Sequence, residues 1–431
     1  MERHPFVELL ASARMAQSLA TIGVGLAALV YPVQHLIGWP GYVAAMVGLI
    51  ALMTGSFVTR REHHEWRGIL PISLLVFLFW AACSVVWSGY QWATVGGLGY
   101  LLAFTLIGLF IALSRDTIQI VRAFGDALRF VLIASLVLEV FAGVIIDTPI
   151  PALGVKGGIA LLQPIAGLES SRNQLGLVAL VGAITFAAEH RTRSAPRGMT
   201  IPSMVVAGLC IVLTFSPVVT GSAVVVGIAA ALIFGIRRVP PEGRQTVQLL
   251  FLGAAIVALT LAWIFRGAIV NLFNAGGVLD FRLRLWQQIV ALVQLQGGWV
   301  QGTGWVGPWR TDISPFSGLT TAVRPTSTAL NAFVDVWFQL GVVGLVLFAG
   351  MVGLTFSRSW LLAGRRRSVV YAWPAAVMIA LGIMSLAESS ILAEFGWVCF
   401  VICCVKGSRE LSWRSALELR GRGSIHTTPP G

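Results

Sequence analysis

The chain has 431 residues, of which 57% are hydrophobic and 11% charged, with a mean hydropathy of +0.84. An ordinary soluble domain carries about 25% charged residues, so this composition excludes a string of soluble domains and indicates a polytopic membrane protein. The formal net charge of +12 does not indicate nucleic-acid binding, because the cations fall in short clusters between long apolar runs and form no single basic face.

A helix needs about 20 mostly apolar residues to cross the hydrocarbon core. Twelve runs qualify, at 15–37, 40–58, 69–88, 92–113, 124–146, 172–190, 200–216, 219–236, 247–269, 331–356, 369–387 and 390–406. The expected fold class is therefore all-α, a polytopic transmembrane helical bundle of about 12 spans, with residues 1–406 forming one membrane domain. The first run lacks a small-residue cleavage site and continues into the polytopic pattern, so it does not read as a cleavable signal. Cysteines 83, 210, 399, 403 and 404 all lie inside apolar runs, which argues against a disulfide framework or a zinc site.

Lys and Arg in loops are retained on the cytoplasmic side. With both termini cytoplasmic, only Lys156, Arg172, Arg266, Arg282, Arg284, Arg310 and Arg324 of the 30 cations fall outside. The RREHHEWR loop at 60–67 then reads as a solvated orientation signal, not a metal site. The tail at 407–431 is basic, then rich in Gly, Ser, Thr and Pro, and is expected to be largely disordered. No phosphate-binding loop or dinucleotide fingerprint occurs.

One connection breaks the economy of the others. Residues 270–330 form a large extracytoplasmic loop between the ninth and tenth runs and hold most of the outer cations, a concentration that suggests an anionic ligand. Within it a short interfacial helix is expected near 281–296, with Asp280 as its N-cap and Gly297–Gly298 as its stop. Arg282, Trp286, Ile289 and Val293 share one face, with Arg284 toward another. Guanidinium groups pair bidentately with phosphate oxygens, so these arginines suit a lipid diphosphate; contact with lipid headgroups, or pairing with Asp280 and Asp312, is the alternative. QGTGWVGPWR at 301–310 interleaves Gly302, Gly304 and Gly307 with Trp305 and Trp309, a pattern that fits close backbone approach to an anion or stacking on a sugar, and equally an interfacial turn.

The order FRLRLWQQ, GTGWVG and STALNAFVDVWFQLGVVGLVLF (327–348), preceded by GLESSRNQLGLVAL (167–180), resembles the O-antigen ligase and O-antigen polymerase family. The resemblance runs from about 160 to 405 and rests on Arg282 with Trp286, Gly302 with Gly304, Asn331 followed by Gly341 and Gly344, and Asn173 with Gly176 upstream. It implies a bacterial cytoplasmic-membrane glycosyltransferase that moves a polyprenyl-diphosphate-linked glycan to a glycan or glycolipid hydroxyl on the outer face. No metal, nucleotide sugar or other cofactor is implied; the partners would be the lipid-linked donor, the acceptor and membrane lipid, with no nucleic acid. Arg282, Arg284, Arg324, Arg310 and Arg172 would hold the diphosphate, while Trp286, Gly302, Gly304 and Trp305 would meet the glycan.

Two positions depart from the family pattern: Leu330 stands where a His often precedes the Asn, and TFSPVVTGS at 214–222 lacks a Ser-Arg pair. Only His35 among the histidines lies on the expected outer side. A general base would therefore be a carboxylate, with Asp335 first because it lies one turn after Asn331; Glu169, Asp280, Asp312, Glu388 and the deeper Glu394 follow. Intramembrane charge also draws attention to Glu139 and Glu388. A transporter or flippase of a lipid-linked glycan or anion is the competing class, and a non-catalytic homologue is the third reading. The former predicts paired midplane charges and broken helices.

Overall fold

The computed structural model describes residues 5–60, 71–240, 242–265, 267–268, 276–310, 312–319, 326–366 and 368–410. Arg266, Arg324, most of the 60–67 loop and the tail from 411 onward lie outside the described residues. Among the described residues the fold is all helical, with a lone β-bridge between Ile150 and Val155. The helices are α1 Pro5–Ala11, α2 Ala13–Ala28, α3 Val30–Thr59, α4 Ile72–Cys83, α5 Gln91–Ser114, α6 Thr117–Val140 and α7 Arg172–Thr192. They continue as α8 Arg197–Leu213, α9 Pro217–Arg238, α10 Arg244–Ile264, α11 Gly276–Gln296, α12 Ala332–Arg365, α13 Trp373–Ser385 and α14 Glu394–Glu410.

Among the described residues five helical stretches are long and apolar enough to cross a membrane: α3, α5, α6 with the π-helical turn that continues it to Ile145, α9 and α12. This is a membrane protein, and the outward apolar residues on these helices, such as Phe130, Val224 and Val346, are consistent with lipid contact. The helix boundaries correct the first two apolar runs. α2 ends at Ala28 and α3 begins at Val30, then kinks at Gly38, where φ is 72° two residues before Pro40. The 15–37 run is thus interrupted at Leu29, where φ is −102°, and the Gly38 kink, at a positive φ that glycine tolerates, falls between the first two runs.

α14 forms the centre of the bundle. Its residues from Phe395 to Gly407 are all buried, which is why the segment is apolar on every side and carries no amphipathic stripe. It packs against α5, α12, α13 and α2. Around it, α6, α7 and α8 are tied by a buried cation: Arg129 of α6 pairs with Glu189 of α7, and also meets Asp126 at 2.9 Å and Ser203 of α8 at 3.1 Å.

Three helices that frame the region of interest start with sequence-encoded caps at the same end of the bundle. Ser171 accepts the amide of Gln174 to start α7, and Ser216 accepts that of Val219, with Pro217 in the first turn of α9. The Asn331 side chain accepts the amides of Phe333 and Val334 at the head of α12. Each cap supplies an acceptor to amides that the helix itself leaves unpaired.

α11 starts at Gly276, so Asp280 lies inside the helix, exposed, and is not its N-cap. Its stop is as expected, since Gly297 has φ 72°. Leu285, Ile289 and Val293 are buried and build a second core with Val306, Trp309, Phe316, Leu319 and Phe338. The 306–319 part of the connection between α11 and α12, apart from position 311, is thereby packed onto α12 and the start of α5.

Candidate functional site

The polar residues at the capped end separate into two clusters. The first gathers around Glu388, in the turn between α13 and α14. Arg282 of α11 donates from Nη2 to Glu388 Oε1 at 3.1 Å and to the Ala387 carbonyl at 2.7 Å. Asn173, in the first turn of α7, donates its side-chain amide to the same Glu388 oxygen and accepts from Ser216 Oγ at 2.6 Å. Arg172 donates to the Phe215 carbonyl at 3.3 Å and lies close enough to Glu388 to contribute to its field. Asn331 completes the ring by donating from Nδ2 to the Leu386 carbonyl at 3.0 Å.

The two partners of the Arg282–Glu388 ion pair are 11% and 14% exposed, so they are largely desolvated yet reachable. Burial pushes the Glu388 carboxyl above the usual carboxylate range, while the Asn173 amide and the Arg282 and Arg172 guanidiniums pull it part of the way back. Three helix N-termini converge on this ring, and the partial positive charge at each favours an anion. Beside it on α11 is a shallow cleft of about 330 Å³ lined by Leu283, Trp286, Gln287, Val290, Ala291 and Gln294. The Trp286 indole donates to the Ala329 carbonyl at 2.8 Å, which fixes its plane at the edge of this cleft.

The second cluster anchors the connection to α12. Asp335, 1% exposed, accepts from Trp309 Nε1 at 2.8 Å, Gln339 Nε2 at 2.8 Å and the Ala329 amide at 3.2 Å. Gln339 in turn accepts the amides of Val306 and Gly307 at 2.7 and 3.0 Å and donates to the Gly307 carbonyl at 3.0 Å. Asp335, expected as the base, is buried with both oxygens engaged by these donors, and its role here is to hold the connection in place. Its spacing from Asn331 is as expected, but the tertiary donors turn it inward.

The glycine turn also departs from expectation. Gly302, Gly304 and Gly307 all have positive φ, and a Cβ on Gly302 would overlap the backbone at Gln339. These glycines permit backbone-to-backbone docking against α12, which is broken at Gly341 (φ 67°, ψ −170°). Thr303 and Gly304 donate their amides to the carbonyls of Phe338 and Gln339 at 3.1 and 2.9 Å, and Trp80 donates to Leu340 at 3.0 Å. Trp305 is fully buried, edge-on to Phe77, with its amide held by Ser84 Oγ at 3.0 Å. Gly302, Gly304 and Trp305 therefore present no face to a sugar.

The remaining expected residues are dispersed. Arg284 is exposed on the side of α11 away from its buried stripe. Arg310 is exposed with Asp312 at 3.7 Å. His35 is exposed and bonds the Tyr31 carbonyl at 2.8 Å. Glu169 is buried with no donor for Oε1 among the described residues; burial, and then the nearby Glu394, push its carboxyl well above the usual carboxylate range. Glu394 accepts from the Tyr100 hydroxyl at 2.8 Å, and Glu139 from the amides of Gly158 and Gly167 at 3.2 and 3.0 Å.

Sequence reasoning noted Glu388 only as a secondary carboxylate and did not find Ser216. Ser216 carried a readable signal, a serine directly before a proline that opens an apolar run. No protein-family model matches the chain. No curated protein matches it either.

Proposed function

We propose that the protein is a membrane glycosyltransferase of the O-antigen ligase or polymerase type, moving a polyprenyl-diphosphate-linked glycan to an acceptor hydroxyl. The observation that carries this reading is the Arg282–Glu388 seat: a desolvated carboxylate and two guanidiniums at three converging helix N-termini. In this reading the chain forms about twelve spans with both termini cytoplasmic, and the seat faces outward at the bacterial cytoplasmic membrane.

The acceptor oxygen attacks the anomeric carbon, the bond from that carbon to the diphosphate oxygen breaks, and the electron pair leaves on the diphosphate. Glu388 takes the acceptor proton. Arg282 and Arg172 neutralise the charge that develops on the leaving diphosphate, with the helix N-termini adding fixed positive potential. The α11 cleft beside Trp286 offers an amphipathic surface for the first sugar or isoprene units. Asn331 holds the 386–388 turn to the head of α12, keeping Glu388 in register with Arg282.

Transfer by the purified full chain from a polyprenyl-diphosphate oligosaccharide in liposomes tests the reading. Glu388→Gln is expected to lower turnover by about 10²–10⁴, the range for losing a general base. Arg282→Ala is expected to lower it by about 10²–10³ through lost leaving-group stabilisation. Asp335→Asn should instead lower the melting temperature, because its new amide N–H faces existing donors, at about 1–3 kcal/mol. Absence of product across donors and acceptors, together with movement of the donor across the liposome, would overturn the enzyme reading.

A further inference from the structure

The helices that meet at the Arg282 seat also share their other ends. α7 and α9 are 21 and 22 residues long, or about 31–33 Å at 1.5 Å per residue, close to the thickness of a hydrocarbon core. At those far ends a cleft of about 610 Å³ is lined by Arg191 of α7, Arg237 and Arg238 of α9, and Arg365 and Arg366 at the close of α12.

Cationic side chains near helix C-termini are favourable, and retention of a loop in the cytoplasm needs only a sufficient number of them. Neither effect requires five guanidiniums to converge on one hollow, where they repel each other. Among the described residues the carboxylate paired in this group is Glu410, at 3.0 Å from Arg366, and no ion pair engages Arg191, Arg238 or Arg365. The arrangement is held by other contacts. The Arg191 guanidinium lies 5.1 Å from the Phe234 ring centre, and Arg237 donates to the Arg366 carbonyl at 2.8 Å. Open space lies beside its glycines: a Cβ on Gly235 would meet nothing within 4 Å, and one on Gly364 only the Gln248 amide at 3.6 Å.

The cleft also continues onto an apolar track. Ala231 and Gly235 of its lining are exposed on α9, and Ile228 and Val224, 55% and 57% exposed, extend that helix face away from the arginines. A charged hollow at the end of an exposed apolar stripe matches a ligand with a phosphate head and hydrocarbon chains. We propose that this cleft binds the headgroup of an anionic membrane phospholipid, on the opposite side of the bilayer from the Arg282 seat. Arg191, Arg238 and Arg365 contact the phosphate oxygens, and the acyl chains lie along α9. The site is independent of the transfer chemistry.

The test follows thermal unfolding of the full chain in detergent during titration with phosphatidylglycerol, with phosphatidylcholine of the same acyl chains, and with inorganic pyrophosphate. Phosphatidylglycerol alone is expected to raise the melting temperature. In the variant R191Q/R238Q/R365Q the apparent affinity should fall about a hundredfold, from about fivefold per arginine. The unliganded variant should melt no lower than the parent, because mutual repulsion is relieved. If it fails to fold, R191K/R238K/R365K retains the charge and should bind with a loss of tenfold or less, having lost only the fork geometry. Equal stabilisation by phosphatidylcholine, or an undiminished phosphatidylglycerol effect in the glutamine variant, would overturn the proposal. A shift reproduced by pyrophosphate would also overturn it, by identifying a site for a soluble anion.

Discussion

Glu388 is held between two opposed influences, burial that favours its proton and three polar neighbours that favour its charge. A general base works only when ionised, so transfer should fall as pH drops through the raised pKa of Glu388. Asn173→Ala removes a hydrogen bond to the charged form and leaves both arginines in place; the acid limb of kcat/KM should therefore move to higher pH, by about one unit. An acid limb that stays in place in this variant would remove Glu388 from the role of base. At this scale the sequence was readable for residue type and poorly readable for rank. Arg282, Asn331 and Glu388 could each be singled out as unusual charged or polar residues near an outer boundary. Helical spacing alone predicts a shared face for Asp335 and Asn331, whereas Asp335 is buried and enclosed by donors. The donors that enclose Asp335 include Trp309 and Ala329, which belong to a different segment.

The break in α12 sets how the connection from α11 is seated. Phe338, Gln339 and Leu340 have carbonyls freed from the helical ladder, and the 303–304 amides and Trp80 take them up. Unpaired carbonyls facing hydrocarbon cost several kcal/mol each, so the glycine turn and the break are one structural unit. Gly341→Ala would force a non-glycine residue into positive φ and drive its Cβ onto the Val300 backbone. The expected cost is about 1–3 kcal/mol for strain alone, with more from the overlap, read as a lower melting temperature in detergent. An unchanged melting temperature would mean that the break does not depend on glycine. Helix α11 was legible from its apolar spacing and its Gly297 stop. The role of the turn was not, because a glycine that admits a ligand and one that admits another backbone look alike in sequence.

Across the whole molecule, the apolar runs revealed a helical membrane protein, since lipid and helical hydrogen bonding constrain composition directly. They could not locate the α2–α3 break at Leu29, which interrupts a continuous apolar run with no glycine or proline to mark it. The proposed orientation places Gln287, exposed on α11, outside, and Arg238, exposed at the end of α9, inside. The native cysteines at 210, 399, 403 and 404 are buried, and Cys83 is half-buried, so an introduced exposed cysteine stands out above them. In intact cells, Gln287→Cys should react with a membrane-impermeant maleimide and Arg238→Cys only after permeabilisation. The reverse pattern would place the Arg282 seat in the cytoplasm and exclude chemistry on the outer face.

Chain order adds a consequence for biogenesis. Trp80, Thr303 and Gly304, which donate to the open carbonyls of α12, all precede residues 338–340 in the sequence. During vectorial synthesis these donors leave the ribosome before the carbonyls they serve. The 342–365 stretch after the break, about 36 Å long, is sufficient by itself to cross the bilayer. The interrupted helix thus meets its partners on arrival, and its discontinuity need not wait on any later segment of the chain.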